Sequence, residues 1–249
     1  MAVNLRIPAV PTKPEAPMRP PEPPPLEAGD RLTRAEFHRR YLAHPEIGKA
    51  ELIEGVVYMP SPVKHRRHGK PHLHMSGWVS TYMAATPNLD GSDNTTVLLD
   101  NANEVQPDIL LRLEPEHGGQ SRIGPDDYVV GAPELIVEVA ATSASYDMHD
   151  KMRIYARNGV REYLVALTYE QQVRWFVLHE GEYEELAPGA DGILRSEVFP
   201  GLWLDPAALW RQDLVGLLAV LQAGLATPEH AASVERLTAA NPEVGIERR

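Results

Sequence analysis

Residues 135–139 (LIVEV), which follow Glu134, place one carboxylate, Glu138, inside an otherwise apolar run. A run of this kind is typical of a central strand that is buried on both faces of a sheet. A second segment, 106–111 (QPDILL), places Asp108 beside another apolar β run. Because a buried carboxylate is costly unless a cation or hydrogen bonds compensate it, these two segments constrain both the fold and the chemistry of the chain.

Helical and extended patterns alternate along the rest of the chain. A capping box formed by Thr33 and Glu36 opens the first predicted helix, and further helices are predicted at 71–85, 147–158 and 206–225. The predicted strands are 51–58, 95–99, 105–113, 134–139, 162–167 and 173–179. This order predicts an α/β fold in which helices flank a mixed central β-sheet.

The two ends of the chain differ in composition from its middle. Residues 1–28 are rich in proline and show no periodic apolar face, so we predict a flexible tail there. Residues 228–249 are polar and are predicted to form a C-terminal tail. Residues 29–227 remain as one domain, about 200 residues long, which is enough to bury a sizeable core.

Charge and composition exclude several classes of protein. The 35 acidic residues outnumber the 24 lysines and arginines, and the net charge of −11 excludes a polybasic coat for nucleic acid. The chain has no cysteine, which excludes disulfides, thiolate metal sites and a cysteine nucleophile and favours the cytoplasm. The N-terminus has no apolar signal core, and the apolar run 214–226 is too short to span a bilayer, so no membrane association is expected.

Asp108 and Glu138 are candidates for a metal site. Two carboxylates on neighbouring strands, completed by the main-chain carbonyl of Val139 and by water, suit the hard cations Mg²⁺ and Mn²⁺ better than zinc. The alternative is structural: Asp108 ends a turn after Pro107, and Glu138 pairs with an arginine.

Lys151 is the candidate cation of this site. Asp147, Lys151 and Tyr155 are spaced by four residues and share one face of the helix that follows the Glu138 strand. The ammonium group can therefore lean back towards Glu138, where it would orient or deprotonate a water molecule and offset developing negative charge. The alternative is a surface ion pair between Asp147 and Lys151.

Several short blocks occur in an order that resembles a known family. They are ELIEG at 51–55, QPDI at 106–109, GAPELIVEV at 131–139, DMHDKMRIY at 147–155, GVREY at 159–163 and FPGLWL at 199–204. Over about residues 30–210 the chain resembles the Uma-type restriction endonucleases, which belong to the PD-(D/E)xK nuclease superfamily. The tails lie outside this resemblance.

The resemblance implies a restriction-endonuclease-like α/β core and metal-dependent cleavage of nucleic acid, with DNA favoured as substrate. Asp108 and Glu138 match the acidic positions of the motif. The superfamily lysine stands two residues after the second acid, where this chain has Ala140, and Lys151 of the next helix matches the place to which the Uma-type branch moves it. Glu54 matches a recurrent acidic position and would contribute an outer metal contact or hold water. The alternative is a glutamate that flanks a turn before Gly55. His68 would be an auxiliary group for phosphate or water.

Residues 64–74 (KHRRHGKPHLH) concentrate positive charge in an acidic protein. We interpret them as a loop that contacts phosphates, with a solvated turn as the alternative. A metal site formed by His68 and His72 is disfavoured, because Pro71 argues against a continuous helix between them. The large aromatic residues, including Trp175 and Trp203, are expected in the core.

Two functions remain open from the sequence. The first is a Mg²⁺- or Mn²⁺-dependent endonuclease, for which a homodimer would supply two sites for two strands. The second is an inactive module with a nuclease fold that binds nucleic acid or a protein partner, which Ala140 and the acidic net charge favour.

Overall fold

A computed structural model describes residues 22–239 of the chain. It contains two six-stranded sheets and one two-stranded sheet, with helices packed against them. The α/β class and the mixed sheets flanked by helices are therefore confirmed.

The helices of the described part vary in length. They are α1 Arg34–Ala43, α2 Lys70–Ala85, α3 Ala144–Tyr146, α4 Met152–Asn158, α5 Pro206–Trp210, α6 Leu214–Leu225 and α7 Pro228–Thr238. A π-helical turn, His65–Gly69, leads into α2, and a second one, Asp147–Lys151, joins α3 to α4. Within residues 22–239 no helix is long and apolar enough to cross a membrane.

Fourteen strands form the three sheets. They are β1 Glu51–Ile53, β2 Val56–Tyr58, β3 Leu89–Asp93, β4 Val97–Asp100, β5 Asn103–Val105, β6 Ile109–Leu113, β7 Arg122–Ile123, β8 Val129–Val130, β9 Leu135–Ala140, β10 Glu162–Leu167, β11 Gln172–His179, β12 Glu182–Glu185, β13 Leu194–Arg195 and β14 Trp203–Leu204. The first sheet has the order β2-β1-β5-β4-β8-β7, and the second has the order β12-β11-β10-β9-β6-β3.

Strand β9 is the centre of the second sheet, and all six of its residues are buried. It pairs in parallel with β10 and antiparallel with β6. Because neighbouring parallel strands need a crossover connection, the chain between β9 and β10 forms α3, the π-helical turn and α4. The run 134–139 is thus a central strand with two buried faces, as predicted.

The two faces of β9 meet different cores. Leu135, Val137 and Val139 pack in a cluster that includes Trp78 of α2 and Leu217 of α6. The alternate residues point to the other face, where the buried cluster includes residues of α4. Glu138 belongs to this second face, so its carboxylate lies beneath the crossover helix.

Three predicted strands and helices are divided in the structure. The predicted strand 105–113 contains the last residue of β5 and all of β6, which belong to different sheets. The predicted strand 51–58 is a hairpin of β1 and β2, because Glu54 and Gly55 adopt φ values of 50° and 77° in the turn. The predicted helix 206–225 is two helices, because Gln212 has a φ of 59° and the Asp213 side chain accepts a hydrogen bond from Gly216 N–H at the start of α6.

Parts of both segments predicted as tails pack on the domain. Helix α7 begins at the cap residue Thr227, and His230 of α7 is buried between the Thr86 hydroxyl and the Leu225 carbonyl. A polar side chain is stable in this place because both ring nitrogens have partners. Leu26 of the predicted N-terminal tail is also buried. The remaining predicted tail residues, 1–21 and 240–249, lie outside the described residues.

Glu162 of β10 holds the loop 196–198 against the sheet. The side chain is fully buried. One carboxylate oxygen accepts hydrogen bonds from Glu197 N–H (2.7 Å) and Val198 N–H (3.1 Å), and the other accepts one from the Ser196 hydroxyl (2.7 Å).

We expect Glu162→Ala to lower the free energy of unfolding by about 2–4 kcal/mol, because it leaves two backbone donors without a partner. Glu162→Gln keeps an acceptor oxygen and is expected to lose less. Urea unfolding followed by circular dichroism measures both variants. An alanine variant within about 0.5 kcal/mol of the wild type would contradict this role.

Candidate functional site

Asp108 and Glu138 lie on neighbouring strands and share one face of the second sheet. Leu110 of β6 pairs with Ile136 of β9 in antiparallel register. Side chains two residues apart on a strand point the same way, so Asp108 and Glu138 follow these two residues onto the same face. Both carboxylates are buried. The structure therefore brings the two predicted acids together.

Both carboxylate oxygens of Asp108 contact neighbouring groups. One oxygen accepts the Val139 N–H at 2.7 Å, and the other lies 3.4 Å from His68 Nε2 and 3.9 Å from Lys49 Nζ. Burial alone would raise the pKa of Asp108, but the contacts with His68, Lys49 and Val139 N–H outweigh it and hold the pKa at about 2. Asp108 is therefore a carboxylate at neutral pH.

His68 reaches the site from the π-helical turn before α2. Because a carbonyl only accepts, His68 Nδ1 donates to the Val139 carbonyl, 2.9 Å away, and Nε2 faces Asp108. The contact with Asp108 raises the pKa of His68, although burial opposes it. His68 therefore lies beside Asp108 and Val139, near the predicted site. The Val139 carbonyl, predicted as a metal ligand, already accepts a hydrogen bond from His68 and has a second lone pair left.

Lys151 lies among several carboxylates. Its Nζ is 2.9 Å from Glu138, 3.0 Å from Glu51 and 3.7 Å from Asp147. The Tyr155 hydroxyl donates to the same Glu138 oxygen at 3.1 Å. The predicted face of Asp147, Lys151 and Tyr155 thus turns towards β9, and Lys151 is buried rather than part of a surface ion pair.

The charges of this cluster do not cancel. Burial alone would lower the pKa of Lys151, but Glu138, Glu51 and Asp147 raise it well above its ordinary value. Burial raises the pKa of Glu138, and Asp147, Asp108 and Glu51 add to this effect against the opposing charge of Lys151. Lys151 therefore keeps its proton, and the cluster has more acidic groups than buried cations to pair with them.

Glu51 is a site residue that the sequence interpretation missed. It begins β1, accepts the Gln106 N–H at 2.8 Å and contacts Lys151 with the same oxygen. The only signal in the sequence is its place at the start of the ELIEG block, where a buried strand residue carries a charge. The sequence motif favours Glu54 as the functional acid of this block instead.

Glu54 lies away from the site, which corrects its prediction as an outer metal contact. It is in the β1–β2 turn, and its carboxylate forms ion pairs with Arg153 and Arg157 of α4 on the protein surface. The turn reverses the chain after β1, so Glu51 and Glu54 lie in different surroundings although only two residues separate them.

The basic segment 64–74 is helical rather than a loop. The π-helical turn continues into α2 through Pro71, because Pro71 is in the first turn of α2, where its missing N–H is not needed. His72 donates from Nε2 to the Asp108 carbonyl at 3.0 Å, and its ring centroid is 5.5 Å from that of His68. Residues 64–67 are exposed beside the site.

The candidate ligand atoms are oxygens, which suit a hard cation, but the side chains do not form a ready metal-binding cluster. In residues 22–239 no three His, Cys, Asp or Glu side chains are placed to hold one metal ion. Asp108 and Glu138 supply carboxylate oxygens, and the carbonyl of Val139, the residue after Glu138, is a further oxygen donor. Oxygen donors in a site with unbalanced negative charge fit Mg²⁺ or Mn²⁺.

The chain is similar to a solved structure and matches a family model. A crystal structure described as that of a putative nuclease belonging to DUF820, from Anabaena variabilis, is similar with 13% sequence identity and a TM-score of 0.49, covering 66% of this chain and 90% of that chain. A search of curated proteins gave no match. The family model Uma2, described as "Putative restriction endonuclease", matches residues 34–207. The chain therefore belongs to the Uma2 family, the one that its motifs predict.

Proposed function

We propose that the protein is a metal-dependent endonuclease that hydrolyses phosphodiester bonds of DNA, with Mg²⁺ or Mn²⁺ as cofactor. The observation that carries this proposal is the buried cluster of Asp108, Glu138 and Lys151 beside the strand end of β9. Membership of the Uma2 family supports nuclease activity in general. A cytoplasmic location and a homodimer are parts of the same proposal.

Asp108 and Glu138 would hold the metal ion, together with the Val139 carbonyl. When bound, a divalent cation lowers the pKa of a water molecule and offsets charge on the phosphoryl oxygens. Asp108 is suited to this task because His68 and Lys49 keep it ionised. The Lys151 ammonium group and the Tyr155 hydroxyl both donate to one oxygen of Glu138, and these two donors orient its carboxyl group.

Lys151 acts as a fixed positive charge. Its raised pKa makes it a poor base, so of the two roles predicted for it only the electrostatic one is supported. A buried ammonium group stabilises negative charge that develops on a phosphoryl oxygen more strongly than a hydrated one. His68, at the rim, would donate a hydrogen bond to phosphate or water.

The first prediction concerns cleavage. Purified protein with Mn²⁺ or Mg²⁺ is expected to nick plasmid DNA, and chelation with EDTA to abolish the activity. Asp108→Asn, Glu138→Gln and Lys151→Met are each expected to lower the cleavage rate about 100-fold or more, since each removes a charge from the site. Gel assays of plasmid, single-stranded DNA and RNA measure this, and intact substrates in all three would contradict the proposal.

Glu51 and Glu54 form a matched pair of variants. Glu51→Gln removes a charge next to Lys151 and is expected to reduce cleavage, whereas Glu54→Gln changes a surface ion pair and is expected to leave the rate within about 2-fold. Equal losses in both variants would contradict the assignment of the site to Glu51. Thermal unfolding of both proteins separates loss of activity from loss of fold.

A second candidate function is an inactive nuclease-fold module that binds nucleic acid or a protein partner. The observation that favours it is that each predicted metal ligand already has a donor partner within the protein: Lys151 contacts Glu138, and His68 contacts both Asp108 and the Val139 carbonyl. A metal ion would have to compete with these contacts. Metal binding therefore distinguishes the two functions.

Calorimetric titration with Mn²⁺ makes this distinction. The endonuclease proposal predicts one site per chain in the wild type and at least about 10-fold weaker binding in Asp108→Asn, because the variant loses a charged ligand. Glu54→Gln serves as the control and is expected to bind as the wild type does. An absence of binding, or binding unchanged in Asp108→Asn, would favour the inactive module.

A further inference from the structure

Two exposed tyrosines flank the candidate site. Tyr146 ends α3, directly before Asp147, and is 43% exposed. Tyr169 follows β10 and is 50% exposed. Because β9 and β10 are parallel and paired, the segments that follow them leave the sheet at the same edge. Tyr169 and the crossover that carries Tyr146 therefore both follow strand ends at the same side of the sheet.

Both tyrosine rings are partly exposed, and each contacts one neighbouring side chain. The Tyr146 ring meets the edge of Tyr58, with centroids 4.5 Å apart at 73°. Tyr58 pairs with Glu51, which contacts Lys151. The Arg67 guanidinium lies over the Tyr169 ring, 4.3 Å from its centroid. A cation over one face of a ring fixes the ring and leaves the other face available.

The rim beside Tyr169 is positively charged. Lys64, Arg66 and Arg67 are all exposed, and among the described residues no carboxylate forms an ion pair with any of them. The same turn carries His68 into the site. In a protein of net charge −11, such a group of unpaired cations favours a polyanion at this place.

We infer that this rim binds single-stranded nucleic acid, with unpaired bases stacked on Tyr146 and Tyr169 and phosphates held by Lys64, Arg66 and Arg67. This inference rests on the proposed function and specifies its substrate. Aromatic side chains stack only on bases whose faces are free, and in a duplex those faces are covered by the neighbouring bases. A narrow cationic rim in an acidic surface also suits one strand better than the denser charge of two.

Fluorescence anisotropy of labelled DNA, measured with the full chain in EDTA, tests the inference without cleavage. A 20-nucleotide strand is expected to bind at least about 5-fold more tightly than a 20-base-pair duplex. Tyr146→Ala and Tyr169→Ala are each expected to weaken binding of the single strand about 5-fold or more, while Tyr146→Phe and Tyr169→Phe keep it within about 2-fold. Circular dichroism checks that each variant is folded.

Arg66→Ala is the matched control for charge. It is expected to weaken both single strand and duplex and to reduce the salt dependence of binding, because it removes a phosphate contact and no stacking surface. Duplex binding equal to or tighter than that of the single strand, or alanine variants that bind like wild type, would overturn the inference.

The outcome is separable from that of the nuclease proposal. Tyrosine-dependent binding of single strands without cleavage in Mn²⁺ would retain this binding surface and refute the nuclease activity. Metal-dependent cutting of duplex DNA that is unchanged in both tyrosine variants would retain the nuclease activity and refute this binding surface.

Discussion

The contact between Lys151 and Glu138 is the interaction on which the rest of the site depends. Glu138 is in the middle of the central strand, where an unpaired carboxylate would be strongly unfavourable. Lys151 compensates it at 2.9 Å, and this is possible only because the crossover helix packs over that face of the sheet. A buried ion pair rarely adds net stability, so its presence in the core supports the functional role that we propose for it.

The topology that creates this contact also builds the surroundings of the site. Parallel pairing of β9 and β10 requires the crossover that contains Lys151, and antiparallel pairing of β6 with β9 brings Asp108 beside Glu138. The turn before α2 then adds His68 to the edge of the same strands. Fixed cations inside and exposed cations at the rim fit a reaction in which the substrate and its transition state are anionic.

Part of this arrangement could be predicted from the sequence, because it follows local periodicity. The spacing of four between Asp147, Lys151 and Tyr155 predicts one helical face, and a single charge in an apolar run predicts a buried strand. Glu51 could not be assigned in this way, since the hairpin turn after it depends on the left-handed backbone of Glu54 and Gly55. If residues 51–58 are interpreted as one long strand, Glu51 and Glu54 belong to the same element, and nothing indicates that they lie in different surroundings.

Other differences arise from tertiary contacts that composition does not reveal. Helix α7 has a polar sequence, but Thr86 and the Leu225 carbonyl satisfy both ring nitrogens of His230 and so allow its burial. Pro71 argues against a helix in the middle of a segment, yet it is compatible with the first turn of one. For this segment the sequence predicts α2 but not the π-helical turn that precedes it.

Anomalous X-ray diffraction from crystals soaked in Mn²⁺ tests the central claim most directly. The account predicts one manganese peak within about 2.5 Å of oxygens of both Asp108 and Glu138, with the Lys151 ammonium group still in contact with Glu138. A site that takes up no manganese, or one in which the metal binds elsewhere and leaves both carboxylates with their present partners, would contradict it.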